Sequence, residues 1–256
     1  MAKKNIRYYK SYSDDFYQTD KEYKLDENYR YIDERLLYRI GSAAIYILAF
    51  LISEIYCRIF LHVKFVGSNK LKEEKRGFFV YGNHTQPVGD VFNPALACFP
   101  KRIYTVVSVA NMHLPVIGKL LKPLGAIPVP SKISQLKHFK DAITYRYKEG
   151  HPIVIYPEGH LWDYYTGIRD FNATSFRYPA ELFSNIYTLT STYQKRKNGK
   201  KPRITVYVDG PFSSNAPTLR ERANELQIQC ADKMKERAKY SNYEYVEYKK
   251  YPDLTD

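Results

Sequence analysis

The sequence predicts an α/β fold: a mainly parallel sheet flanked by helices, preceded by an N-terminal membrane-associating helical segment. Three observations lead there. From Gly77 onward, short apolar runs alternate with stretches of helical periodicity, the rhythm of strand–helix–strand units. The runs at 78–81, 103–109, 153–156 and 204–208 show little polar alternation, as expected of strands covered on both faces. Ahead of them, 36–63 is the most apolar stretch of the chain.

Taken in order, residues 1–35 read as a polar N-terminal arm, charged and tyrosine-rich, with no apolar run that would mark a secretory signal. Within 36–63, the uninterrupted apolar part is 40–52, shorter than the roughly 20 residues a spanning helix needs. Glu54, Arg58 and His62 follow at helical spacing and form one polar stripe, opposite Ile55, Tyr56, Ile59, Phe60 and Val63. That pattern suits a helix lying in a membrane interface or docked on the domain that follows. A buried soluble helix and a spanning helix are the alternatives. Residues 64–240 read as one α/β domain. In it, 134–149 places Leu136, Phe139, Ile143 and Tyr147 on one helical face and stops before Gly150. Thr218 and Glu221 have capping-box spacing, and Leu219, Ala223, Leu226, Cys230 and Met234 then line one face of a helix running to about Lys239. Residues 241–256 read as a C-terminal tail.

Composition narrows the function. The net charge of +13 favours partners with negative surfaces, namely anionic lipid headgroups, nucleic acid or an acidic carrier protein. The basic residues are scattered and no RNA-binding signature is present, so nucleic acid is not expected. The cysteines, Cys57, Cys98 and Cys230, are odd in number and have no C-x-x-C spacing. This argues against a disulfide framework or a zinc site and for a reducing compartment. The chain has no G-x-S-x-G, no H-E-x-x-H and no glycine-rich phosphate loop, so neither a serine-nucleophile route nor zinc hydrolysis has sequence support.

Two constellations can carry chemistry. An apolar strand ending at Tyr81 runs into Gly82-Asn83-His84-Thr85-Gln86-Pro87-Val88-Gly89-Asp90. This puts His84 in the loop at a strand's carboxyl end, where sites form in parallel sheets. A carboxylate held against the imidazole fixes its tautomer and stabilises its cation, which makes a general base. The second strand ends in Tyr156-Pro157-Glu158-Gly159-His160, a constrained turn that presents a carboxylate. A stiff segment, Leu124-Gly125-Ala126-Ile127-Pro128-Val129-Pro130-Ser131, ends beside Lys132, and the run 204–208 leads into Asp209-Gly210-Pro211.

In this order the blocks resemble those of the lysophosphatidate and glycerolipid acyltransferase family. Asn83-His84 to Asp90 is similar to its N-H-x-x-x-x-D block, Gly125 to Ser131 to its G-x-I-x-x-x-R block, Tyr156-Pro157-Glu158-Gly159 to its F-P-E-G-T-R block, and 204–210 loosely to its late apolar strand. The resemblance implies a glycerolipid acyltransferase-like fold, with His84 and Asp90 catalytic and Asn83, Thr85, Glu158, Gly159, Lys132, His160 and Arg169 binding substrate. It also implies direct acyl transfer from acyl-CoA or acyl-ACP, without cofactor or metal, to a lysophospholipid, 1-acylglycerol-3-phosphate first. The implied setting is the cytoplasmic face of the cell membrane, peripheral or monotopic, among membrane lipids. Backbone N–H groups after His84 are the expected oxyanion donors. The departures are specific. His84 and Asp90 stand one residue further apart than the family pattern, Lys132 replaces an arginine, and His160-Leu161 replaces Thr-Arg. Lys101, Arg102, Lys132 and Arg169 are the candidate phosphate partners in their place, and a different lysolipid or a lipid-linked alcohol is the alternative acceptor. The competing class is a non-catalytic basic membrane-binding protein.

Overall fold

The computed structural model describes residues 5–17, 23–197 and 201–252. Its centre is a seven-stranded sheet made of β2 (Lys64–Val66), β3 (Phe78–Gly82), β4 (Tyr104–Val107), β5 (Ala126–Pro128), β6 (Pro152–Ile155), β7 (Ile186–Gln194) and β8 (Arg203–Phe212). The strands lie in the order β2-β8-β7-β3-β6-β4-β5. All neighbours are parallel except β7 and β8, so β7, β3, β6, β4 and β5 point one way and β2 and β8 the other. The expected mainly parallel sheet is present, and β3, the strand that leads to His84, is central in it.

Strand alternation sorts the core into two layers. Phe79 and Tyr81 face one cluster, together with Phe139 and Ile143 of α6 (Leu136–Lys148) and Leu226 and Met234 of α8 (Leu219–Ala238). Phe78 and Val80 face the other, with Leu71 of α2 (Asn69–Glu73) and Ala97 and Cys98 of α3 (Gly89–Cys98). The capping box of Thr218 and Glu221 opens α8. Short helices α4 (Val109–Met112) and α5 (Ile117–Leu121) link β4 to β5, and α7 (Arg177–Glu181) precedes β7. Cys57, Cys98 and Cys230 are free and buried.

Helix α1 (Leu36–Ile55) continues through a wider turn, Tyr56–Leu61, to His62 in the left-handed region (φ 51°). The whole Leu36–Leu61 stretch is long and apolar enough to cross a membrane by length and composition. This extends the apolar element well past 40–52, because Glu54 and Arg58 pair with each other along its surface. Its burial is the reverse of a soluble helix. Ser42 and Ser53 face the protein, with Ser42 donating to the Pro123 carbonyl at 2.7 Å. Leu36, Leu37, Ile40, Ile47, Leu48, Leu51, Ile52 and Ile55 are exposed. Among the described residues this helix is thus mostly exposed rather than buried as a core helix would be.

Two strands far apart in the sequence meet. β1 (Asn5–Tyr9) pairs in parallel with β9 (Val246–Lys250), in a second, two-stranded sheet. The sequence reading, a polar arm and a tail, contains no hint of this pairing.

Candidate active site

Gly82, the last residue of β3, governs the entry to the site. A Cβ there would lie 2.5 Å from the Tyr156 ring, so only glycine lets that ring approach. The freed space brings Tyr156 against His84, with the two rings stacked 4.7 Å apart at 25°. Tyr156 Oη donates to the Asp90 carbonyl at 2.6 Å, which ties the end of β6 to the first turn of α3.

Asp90 occupies that first turn and its carboxylate is buried, 5% exposed. Its Oδ2 lies 2.8 Å from His84 Nδ1 and accepts the Gln86 N–H at 2.9 Å. The extra residue in the 84–90 loop is thus absorbed without loss of the contact. Burial pushes the Asp90 carboxyl up, and the hydrogen bond from His84 and the backbone N–H groups oppose that rise. The imidazole keeps 26% of its side-chain surface exposed. With Nδ1 on the carboxylate, Nε2 is the nitrogen left to exchange a proton with a bound molecule.

Asn83 and Thr85 flank His84 but point into the protein. Asn83 exchanges two hydrogen bonds with the Ser191 backbone, at 2.8 and 3.0 Å, extending the β3–β7 pairing by one side chain. Thr85 Oγ1 lies 2.7 Å from the Tyr193 hydroxyl, which also donates to the Thr85 carbonyl at 3.1 Å. Both residues are almost fully buried and hold the loop from β7.

Glu158 and Arg169 form an ion pair at 2.8 Å with no exposed side-chain area on either partner. Glu158 also accepts the N–H groups of His84 and Arg169, at 3.3 and 3.2 Å. Burial raises the Glu158 carboxyl, against the pull of Arg169. Arg169 further donates to the carbonyls of His160 and Tyr12, and its guanidinium lies 4.9 Å from the Trp162 ring centre. In this arrangement the pair acts on the site through the backbone it fixes. Gly159, at φ +80° with open space at its Cβ position, supplies the left-handed turn between Glu158 and His160. His160 is 41% exposed and pairs with Asp15 at 3.2 Å.

The cations considered for phosphate are dispersed. Lys132 follows the edge strand β5, separated from β3 by β4 and β6, and is bonded to Glu27. Lys101 and Arg102 precede β4 at the opposite, amino end of the sheet. There Lys101 donates to the Glu74 and Arg76 carbonyls, at 2.6 and 2.9 Å, and Arg102 to Ser42 Oγ at 2.7 Å. They are thereby removed from the site, because strand direction puts them a full strand length from the His84 loop. Arg102 instead borders a cavity of about 430 Å³ at the amino ends of β4, β5 and β6, with Lys122, Arg146 and Tyr104. Two backbone N–H groups of this loop are already engaged. The N–H groups of His84 and Gln86 already serve Glu158 and Asp90.

Sequence reading missed three contributors to the site: Tyr156 as the stacking partner of His84, Tyr193, and the backbone N–H groups of Trp162 and Tyr164. Trp162 N–H donates to the His84 carbonyl at 3.0 Å and Tyr164 N–H to the Thr85 carbonyl at 2.7 Å. Tyr156 was legible as the residue before Pro157-Glu158; the backbone bonds carry no residue-type signal.

The family model described as Acyltransferase matches residues 62–193, more than half of the chain. No curated protein sequence matches. Among solved structures, the 1-acyl-sn-glycerophosphate (LPA) acyltransferase PlsC from Thermotoga maritima is similar in fold, with a TM-score of 0.53 at 14% identity over 79% of this chain and 92% of that one. The matched span contains β3, His84, Asp90, Glu158 and Arg169 and ends in β7: the chain belongs to the acyltransferase family.

Proposed function

We propose that the protein transfers a fatty acyl group from an acyl thioester, acyl-CoA or acyl-ACP, to the hydroxyl of a lysolipid at a membrane surface. The leading acceptor is 1-acylglycerol-3-phosphate, giving phosphatidic acid. The observation that carries this reading is the half-open imidazole of His84, held through Nδ1 at 2.8 Å by the buried Asp90. His84 Nε2 takes the acceptor's hydroxyl proton as the oxygen attacks the thioester carbonyl. The C–O bond forms, the C–S bond breaks, and the same nitrogen returns the proton to the departing thiolate. Asp90 stabilises the imidazolium between the two steps. The reaction needs no metal and no acyl-enzyme. The exposed apolar face of α1 supports a peripheral or monotopic attachment, as an amphipathic element does, and the cytoplasmic face is where the thioester donors are made available.

A second acceptor reading rests on the cations. Arg169 is buried on Glu158, Lys132 is paired with Glu27, and the exposed group next to the catalytic loop is His160 on Asp15. This favours a lysolipid or lipid-linked alcohol in which phosphate recognition is weak. Purified protein assayed with acyl-CoA and acyl-ACP against lysophosphatidate, other lysophospholipids and unphosphorylated lipid alcohols tests both. Highest kcat/KM with lysophosphatidate supports the first reading. Turnover only with unphosphorylated acceptors supports the second, and no turnover with any pair contradicts acyl transfer.

A further inference from the structure

The N-terminal arm, 5–17, lies outside the span matched by the family and converges on one place. Arg7 Nη2 donates to Asp163 Oδ2 at 2.5 Å, and the Tyr17 hydroxyl donates to the same oxygen. The Asp14 carbonyl accepts Trp162 Nε1–H at 2.8 Å, Asp15 pairs with His160, and the Tyr12 carbonyl accepts from Arg169. Tyr9 and Phe16 pack on the fully buried Trp162. The C-terminal strand joins from the other side, with Tyr248 stacked on Trp162 at 4.9 Å and donating to the Asp163 carbonyl.

All these contacts fall on the segment between Glu158 and Arg169, where the chain departs from the family's Thr-Arg. That segment in turn grips the catalytic loop, because the N–H groups of Trp162 and Tyr164 hold the carbonyls of His84 and Thr85. A loop of this length, exposed and without a partner, opens readily. Here an arm from a distant part of the sequence closes it.

We propose that the arm is a positioning element of the active site: clasped on Asp163 and Trp162, it fixes the 160–165 loop and through it the backbone of His84. The arm touches no reacting atom, so its effect is on kcat and on the order of the loop. The inference rests on the acyl-transfer reading for its kinetic consequence, but the loop order can be measured without it.

The test uses the full chain with Arg7→Ala/Tyr17→Phe, which removes both side-chain ties to Asp163, and Arg7→Lys as the conservative variant. Hydrogen exchange at 160–165 is expected to speed up at least about tenfold while exchange in α8 stays unchanged, as in local opening. The kcat is expected to fall about tenfold or more at near-constant donor KM, since small displacements of catalytic groups are costly, with Arg7→Lys recovering most of it. Nitrogen-15 spectra of the His84 ring are expected to lose their single Nδ1–H tautomer in the double variant. Unchanged exchange at 160–165, or faster exchange with kcat and the His84 ring spectrum intact, overturns the proposal. If exchange in α8 also rises, Tyr17→Phe alone is measured against the same criteria. A wild-type protein without acyl-transfer activity refutes the proposed function, and the exchange and ring spectra still decide the role of the arm.

Discussion

Asp90→Asn separates the charge of the carboxylate from its geometry. Asp90 Oδ2 receives both His84 Nδ1–H and the Gln86 N–H, at 2.8 and 2.9 Å. In the asparagine variant, an amide nitrogen at that position would face the Gln86 N–H donor to donor. The amide therefore keeps its oxygen there, and His84 keeps its tautomer. What is lost is the negative charge beside the imidazolium that forms during proton transfer. With charge centres about 4 Å apart and an effective dielectric near 20, that attraction is ~4 kcal/mol. The retained amide dipole returns part of it, which leaves about 3 kcal/mol, or roughly a hundredfold in kcat. This is less than the ~10⁴-fold loss seen where such a substitution also inverts the tautomer. Thiol release from acyl-CoA under saturating acceptor measures it. Asp90→Ala removes the hydrogen bond as well and is expected to be slower again, by about tenfold. An Asn variant within threefold of wild type, or one slower than the Ala variant, refutes the reasoning.

Three further outcomes follow from the same geometry. The Asp90 carboxyl is raised by burial, so between its unfolded value and its higher folded value the native state binds more protons, and its contribution to stability falls as pH rises through that window. Urea unfolding should therefore show Asp90→Asn gaining stability relative to wild type on going from pH 4 to pH 7. Arg169→Leu strands the buried Glu158 charge and is expected to cost about 3–5 kcal/mol, with Glu158→Gln/Arg169→Leu recovering at least half in the same unfolding experiment. Leu48→Asp/Leu51→Asp, on the exposed face of α1, should weaken binding to vesicles containing anionic lipid by at least about a hundredfold, at ~1.5–3 kcal/mol per lost apolar side chain, and leave unfolding nearly unchanged.

Much of the sheet was legible because its strands obey a simple rule. The runs at 78–81, 153–156 and 204–208 are apolar on both faces and became β3, β6 and the centre of β8. Strand β7 escaped because Thr188, Thr190 and Thr192 are polar by composition but buried; their β-branching suits a strand interior, and Thr192 donates its hydroxyl to the Thr205 carbonyl of the neighbouring strand. His84 and Asp90 were singled out by the ordered blocks of the family resemblance more than by the strand-then-loop context alone, and their contact is kept at the longer spacing. The roles of Asn83 and Thr85 were not, since nothing local says that Ser191 and Tyr193 lie beneath them. The arm was least legible. Its partners Trp162, Asp163 and Tyr248 stand far along the chain, and non-local pairing leaves no periodic trace.

The central claim, base catalysis of acyl transfer by His84, is tested most directly by lipid-product analysis of purified wild type and His84→Ala, each supplied with acyl-CoA and lysophosphatidate. The account predicts phosphatidic acid from wild type and a rate lower by about 10²–10⁴-fold from His84→Ala, with the variant's unfolding transition preserved. Equal product formation by the two proteins would contradict it.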